Sequence, residues 1–230
     1  MPYRLFLFDL DHTLFDFEKA EGFSLKKLLD ELRVPGDFSK HLPQYQDINE
    51  RFWTAFARGE FTKEFIKVER FRVFFDANDW DLDPEHAAQR YLTFLAETGD
   101  VMDSAIEVVS ELRKHAKIGI VTNGVKDVQF GKLTRSGLNR VVDFVIVSEE
   151  CGFQKPDPRI FEHALKVANH DDPSSVLMVG DRLEMDIKGA RDSGIDSCWF
   201  NPKKTPNTSD IIPTYEIAHL SEIQESLFQP

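Results

Sequence analysis

Residues 3–13 read YRLFLFDLDHT, and they set the architecture of this 230-residue chain. The part from Tyr3 to Leu10 is mostly aromatic and aliphatic, is too short for a helix and is bounded by an acidic cluster. A short apolar run of this kind indicates a strand buried on both faces, as in a parallel sheet. We therefore predict that Asp9 and Asp11 lie at the carboxyl end of the first strand.

Four further short apolar runs follow along the chain, each next to an amphipathic segment of helix length. We predict strands at residues 117–121, 141–147, 175–179 and 197–200. The helices predicted beside them are residues 103–114, 126–136, 158–169 and 184–192. This alternation is typical of an α/β fold, in which a Rossmann-like parallel sheet is flanked by helices.

The segment after the first strand has a different character. Residues 15–100 contain no strand-like run but several apolar stripes at helical spacing, and phenylalanines are concentrated there. Large aromatic side chains suit a small helical domain that must build its own core, although one or two of the rings could face a ligand instead. We predict an α/β core domain of residues 1–14 and 101–230 with an all-helical insertion of residues 15–100.

Charge and composition restrict the partners. The chain has 28 Lys and Arg against 40 Asp and Glu, a formal net charge of -12, which disfavours nucleic acid polymers and anionic membranes. No apolar stretch approaches the roughly 18 residues that span a bilayer, so we expect a cytoplasmic protein. Cys151 and Cys198 are not in a metal-ligand spacing, and we expect buried thiols.

Polar and charged side chains follow four of the predicted strands. They are Asp9 and Asp11, Thr122 and Asn123, Lys155, and Asp181 and Asp186. Any one of these groups could simply cap a helix or lie at the surface. However, the carboxyl ends of parallel strands meet at one edge of the sheet, where such folds bind ligands. The sequence therefore predicts a single site containing several acids, a lysine and the start of a helix that could bind an anion.

These motifs resemble those of the haloacid dehalogenase superfamily, and the resemblance covers the whole chain. The four motifs read Asp9-x-Asp11-x-Thr13, Thr122-Asn123, Lys155-Pro156 and Gly180-Asp181-x-x-x-x-Asp186. The helical insertion is similar to the small helical cap of this superfamily. Residues 151–157 and 197–201 also resemble the pyrimidine 5′-nucleotidase branch. One departure is His12, a position at which the commonest family pattern has glycine. Because the family uses backbone groups around this position, we expect the chemistry to be retained with histidine.

The resemblance implies a phosphoric monoester hydrolase that acts through an aspartyl-phosphate intermediate, a 5′-nucleotidase on pyrimidine nucleoside monophosphates. Asp9 would be the nucleophile. Asp11 would be the general acid and then the general base, a role for which we expect its acidic neighbours to raise its pKa. Lys155 would be catalytic and, with Thr122 and Asn123, would bind the phosphoryl oxygens.

Charge balance at the predicted site calls for a divalent cation. The four aspartates carry up to four negative charges and Lys155 contributes only one positive charge, so a dianionic phosphate would be repelled. Ligation by oxygen alone suits Mg²⁺. The expected ligands are Asp9, Asp181 and, by the resemblance, the backbone carbonyl of Asp11, with Asp186 orienting the groups around them.

Several alternatives stay open. The substrate, a small phosphorylated metabolite in either case, could be a phosphosugar, as in the acylneuraminate-9-phosphatases. Dehalogenation is disfavoured because that reaction needs no leaving-group acid such as Asp11, whereas phosphonatase and mutase activities would depend on unrecognised cap residues. A non-enzymatic module that carries phosphate on aspartate is disfavoured by the helical insertion. Either a monomer or a homodimer is compatible with the sequence.

Overall fold

The computed structural model describes residues 2–223 and contains a six-stranded sheet in which every strand pair is parallel. The strands are β1 (Leu5–Phe8), β2 (Lys117–Thr122), β3 (Phe144–Val147), β4 (Val176–Gly180), β5 (Asp196–Phe200) and β6 (Tyr215–Ile217). Their order across the sheet is β3-β2-β1-β4-β5-β6. The predicted α/β fold with a parallel sheet is confirmed.

The side chains of β1 alternate between the two faces of the sheet. Phe6 and Phe8 belong to a core cluster that also contains Val108. Leu5 and Leu7 belong to a second cluster, which includes Ile160. Because both faces are covered by helices, an alternating polar pattern is absent and the strand reads as a continuous apolar run.

Helices account for most of the remaining regular structure between residues 2 and 223. They are α1 (Phe17–Glu31), α2 (Phe38–Ala57), α3 (Lys63–Asp76), α4 (Pro84–Ala96), α5 (Ala105–Arg113), α6 (Lys126–Ser136), α7 (Ser148–Cys151), α8 (Pro158–Ala168) and α9 (Lys188–Asp192). The helix predicted at 184–192 is confirmed in part, since it begins as a π-helical turn, Leu183–Ile187, and continues as α9. The short elements α7 and β6 were not predicted.

Local sequence signals mark the start of α8 and the end of α6. The side chain of Asp157 accepts a hydrogen bond from the backbone N–H of Arg159, and Pro158 occupies the first turn of α8. Helix α6 ends at Ser136 and is followed by Gly137, whose φ of +79° favours glycine. These signals lie in the local sequence, which is why the bounds predicted for α6 match the observed ones.

The chain forms two compact units, residues 2–17 with 99–223, and residues 18–98. The second unit is helical and has an aromatic core of its own. The ring of Tyr45 lies 5.3 Å from that of Phe71, 5.5 Å from that of Phe74 and 5.6 Å from that of Tyr91. The assignment of residues 15–100 as a cap that closes over a site stays a prediction.

Both cysteines are free thiols, with Cys198 buried and Cys151 partly exposed. The prediction of buried thiols is therefore correct for Cys198 and wrong for Cys151, which lies at the end of α7. No helix within residues 2–223 is long and apolar enough to span a bilayer.

Candidate active site

The register of the sheet brings the predicted strand ends together. Strand β1 lies between β2 and β4, and Phe8 is aligned with Ile120 on one side and Val179 on the other. The backbone N–H of Asp9, the next residue, donates to the carbonyl of Val179 at 2.9 Å. The carboxyl ends of β1, β2 and β4 therefore lie side by side, and their loops surround Asp9.

Lys155 joins two of the predicted acids. Its side chain is buried, its ammonium group contacts Oδ1 of Asp9, and the same group lies 2.7 Å from Oδ1 of Asp186. Burial alone would lower the pKa of Lys155, but the charges of Asp186 and Asp9 raise it above its usual value. Lys155 is therefore a permanent cation that can attract an anion to Asp9.

Asn123 fixes the backbone of Lys155. Its Nδ2 donates to the carbonyl of Lys155 at 2.9 Å, and its Oδ1 accepts from the N–H of Lys155 at 2.9 Å. This reciprocal pair connects the loop after β2 to the loop that carries the lysine. The Asn123 side chain is thus engaged in positioning Lys155, and direct binding of substrate by Asn123 stays a prediction.

A further contact explains the glycine before Asp181. A Cβ atom on Gly180 would lie 2.3 Å from Cγ of Asp186, far inside van der Waals contact. Oδ2 of Asp186 also accepts a hydrogen bond of 3.0 Å from the backbone N–H of Arg182. The absence of a side chain at Gly180 therefore lets Asp186 fold back against the loop and reach Lys155.

Three carboxylates form a cluster that could hold a metal ion. Oxygen atoms of Asp9, Asp181 and Asp186 lie within 4.8 Å of one another, and the hydroxyl of Thr13 donates to Asp181 at 3.4 Å. A set of oxygen ligands is the type that Mg²⁺ and Ca²⁺ prefer. The cluster contains two of the predicted ligands, Asp9 and Asp181, together with Asp186, which was predicted to orient them.

Burial, with a contribution from neighbouring carboxylates, raises the pKa values of two acids in this cluster. Burial raises the pKa of Asp9 to about 7, and the nearby Asp186 adds to this effect although Lys155 opposes it. Burial and the charges of Asp9 and Asp186 also raise the pKa of Asp181 well above its usual value. A divalent cation between these carboxylates would remove the repulsion and favour their ionised forms, so the residues present fit the expected metal.

Asp11 has a different environment from the one expected. Its Oδ1 contacts the ammonium group of Lys132, and its Oδ2 accepts a hydrogen bond of 2.6 Å from Nε2 of Gln129. Burial would raise the pKa of Asp11, but the charge of Lys132 and the hydrogen bonds from Lys132 and Gln129 hold it below its usual value. The prediction that acidic neighbours raise this pKa is wrong, because a lysine from α6 is the closer charge.

Thr122 is the last residue of β2 and is buried. Its hydroxyl oxygen accepts hydrogen bonds of 3.0 Å from the backbone N–H of Gly124 and 3.0 Å from Nε2 of Gln129. Two accepted bonds orient the hydroxyl so that its proton can be donated to an anion. This geometry is compatible with the predicted binding of a phosphoryl oxygen by Thr122, which stays a prediction.

The backbone conformation at His12 is one that favours glycine, which is the residue of the commoner family pattern at this position. His12 has a φ of +63°, in the left-handed region that glycine adopts most readily. Its N–H donates to the carbonyl of Phe15 at 3.0 Å, and its ring centroid lies 4.9 Å from that of Phe17. The departure from glycine therefore keeps the tight turn after Asp11.

Sequence reasoning missed Gln129 and Lys132 as parts of the site. Both lie on α6, three positions apart and hence on one helix face, and both are 1% exposed. A signal was available, because polar residues at core-facing positions of an amphipathic helix usually have a buried partner. Their partner, Asp11, could not be identified without the fold.

The fold and the site together define a class. A parallel sheet with several acids and a buried lysine at its carboxyl edge belongs to an α/β enzyme that binds its ligand beside the strand ends. Residues 3–194 match the model of the haloacid dehalogenase-like hydrolases, and the chain belongs to this family. The predicted family and the prediction of an enzyme are both confirmed.

Relatives match the chain over nearly its full length. YfnB of Bacillus subtilis is 36% identical over 98% of this chain and 95% of its own. Its crystal structure, bound to magnesium, superimposes with a TM-score of 0.93 and covers 98% of each chain. The pyrimidine 5′-nucleotidases YjjG of Escherichia coli and PynA of Streptococcus pneumoniae are each 32% identical over 99% of this chain, and the matches cover 99% and 96% of their own lengths.

Proposed function

We propose that this chain is a Mg²⁺-dependent phosphatase that hydrolyses nucleoside 5′-monophosphates, with a preference for pyrimidine nucleotides, through an aspartyl-phosphate intermediate. The observation that carries the proposal is the buried carboxylate of Asp9, which contacts Lys155 and lies within a cluster of acids. The similarity to two pyrimidine 5′-nucleotidases over nearly the whole chain supports the substrate class.

In the first half of the proposed reaction, an oxygen of Asp9 attacks the phosphorus atom. The new bond joins Asp9 to phosphorus, while the bond from phosphorus to the leaving oxygen breaks and its electron pair stays on that oxygen. Lys155 and Thr122 bind the remaining phosphoryl oxygens and so hold the group in line with Asp9. In the second half, water attacks phosphorus and releases Asp9.

Asp11 handles the proton in both halves. Because its pKa is lowered, Asp11 is a carboxylate before substrate binds, and the leaving oxygen still requires a proton. A phosphate monoester retains one proton near neutral pH in part of its population, with a second pKa of about 6. We propose that this proton passes through Asp11 to the leaving oxygen. Asp11 then accepts a proton from the attacking water.

The metal would be held by Asp9, Asp181 and the backbone carbonyl of Asp11, with Asp186 fixing Lys155 and the loop after β4. When bound, Mg²⁺ would neutralise the carboxylates and the charge on the phosphoryl group. The oxygen cluster supports Asp9 and Asp181 as ligands, and the Asp11 carbonyl is added from the family resemblance. We further propose that the helical unit acts as a cap for substrate selection, and that the protein is cytoplasmic and takes small phosphorylated metabolites rather than nucleic acid polymers.

A substrate screen tests the proposed activity. Phosphate release should be measured with Mg²⁺ across the nucleoside 5′-monophosphates and a set of phosphosugars. We expect the highest kcat/KM for the pyrimidine monophosphates. An Asp9→Asn preparation, purified in parallel, controls for contaminating phosphatases. A preference for phosphosugars would replace the nucleotidase assignment by the alternative one, and no release from any monoester would refute the phosphatase activity itself.

A further inference from the structure

We propose that Lys132 and Gln129 are positioning residues that hold the carboxylate of Asp11 in the orientation needed to transfer a proton to the leaving oxygen. This inference rests on the proposed phosphatase function. It assigns a role to two residues outside the four sequence motifs.

Lys132 and Gln129 together contact both oxygens of the Asp11 carboxylate. Lys132 contacts Oδ1 of Asp11, and Nε2 of Gln129 donates to Oδ2 at 2.6 Å. Both donors come from one face of α6, a rigid element, whereas Asp11 lies in the turn after β1. With each oxygen bonded to a different donor, rotation of the Asp11 carboxylate would break at least one contact. The arrangement therefore fixes the direction of its remaining lone pairs.

The surroundings of Lys132 show that its ammonium group is fixed at this place. The side chain is 1% exposed, and the ammonium nitrogen lies 4.8 Å from the ring centroid of Phe15 and 5.1 Å from that of Phe17. Aromatic faces attract a cation but cannot neutralise it. A lysine buried against two rings and one carboxylate is costly unless the ion pair is kept. This pair thus links α6 to the turn after β1.

Gln129 connects Asp11 to a second part of the site. Besides Asp11, its Nε2 donates to the hydroxyl of Thr122 at 3.0 Å. A Cβ atom on Gly124 would lie 1.8 Å from Nε2 of Gln129, so the glycine is required for the amide to reach both partners. Gln129 therefore sets the relative positions of Asp11 and the residue proposed to bind a phosphoryl oxygen.

A carboxylate placed for proton transfer matters most when the leaving group needs a proton. A nucleoside leaves as an alkoxide unless it is protonated, whereas p-nitrophenol leaves readily as its anion. If Lys132 orients Asp11, its removal will slow the first type of substrate much more than the second. A residue needed only for folding would affect both substrates alike.

The experiment compares Lys132→Met with the wild type on uridine 5′-monophosphate and on p-nitrophenyl phosphate. Since general acid catalysis contributes about 10²–10⁴-fold, we expect kcat for the nucleotide to fall by about 10²-fold or more. We expect kcat for p-nitrophenyl phosphate to fall by less than about tenfold, with KM little changed for both substrates. Gln129→Met provides a second variant, for which we expect a larger loss on the nucleotide than on p-nitrophenyl phosphate. A smaller loss common to both substrates should accompany it, because Gln129 also contacts Thr122.

Lys126→Met serves as the matched control, because Lys126 lies on the same helix and pairs with Glu150 at the surface. It should leave both activities unchanged. Equal losses on the two substrates by both folded variants, or no loss, would overturn the positioning role while leaving the phosphatase proposal intact. A wild type that releases phosphate from neither substrate would overturn the phosphatase proposal, and this inference with it.

Discussion

Asp9→Asn is expected to lower kcat for phosphate monoesters by about 10⁴–10⁶-fold, the range typical for loss of a nucleophile. An amide oxygen in place of the carboxylate cannot form a comparable bond to phosphorus. The fold should be retained, because asparagine has nearly the same shape and removes one of three mutually repelling carboxylates. Phosphate release measures the first effect, and thermal unfolding measures the second.

A surface aspartate provides the control for this variant. Asp171 is exposed in the loop after α8, so Asp171→Asn should keep the activity of the wild type. If Asp9→Asn turned over p-nitrophenyl phosphate at a rate close to that of the wild type, Asp9 would not be the nucleophile. The role of the acid cluster would then have to be reassigned.

Removal of divalent cations is expected to abolish activity, and added Mg²⁺ is expected to restore it. The physical reason is that the carboxylates of Asp9, Asp181 and Asp186 lie together in a largely buried site. Burial raises the pKa of Asp9 and of Asp181, and the neighbouring carboxylates add to this effect, so a cation is needed to stabilise the ionised forms. Asp181→Asn should raise the Mg²⁺ concentration needed for half-maximal activity by at least about tenfold. Activity is measured after treatment with EDTA and again after titration with Mg²⁺.

Binding of the metal can be followed separately from catalysis. A cation that binds only the folded chain raises the midpoint of thermal unfolding as its concentration increases. We expect this shift for the wild type and a smaller one for Asp181→Asn, with Asp171→Asn again as the control. Full activity of a preparation whose metal content has been shown to be negligible would contradict the charge argument.

The parts of the site that the sequence could predict are those that follow a strand directly. Asp9 and Asp181 come immediately after apolar runs, and in a parallel sheet the ends of neighbouring strands lie at one edge. Lys155 is in a loop before a helix, and the proline in the first turn of that helix is a local sequence signal for where the helix begins. The structure has this helix, α8, starting at Pro158. These positions depend on short-range patterns and on one general rule of α/β folds.

The environment of Asp11 could not be predicted in this way. Its charge partner, Lys132, is 121 positions further along the chain and reaches it only because α6 packs beside the turn after β1. The same applies to the engagement of Asn123 with Lys155, 32 positions away. Strand β6 was missed because only three residues pair with β5, which leaves no detectable apolar run.

Chemical trapping of the phosphorylated enzyme tests the covalent role of Asp9 most directly. The wild type is mixed with a good substrate and Mg²⁺, stopped with acid during turnover, reduced with borohydride and digested for mass spectrometry. Reduction converts an aspartyl phosphate to homoserine, and we predict homoserine at position 9 alone. Rapid turnover with no modification at Asp9, or modification at another aspartate, would contradict the proposed mechanism.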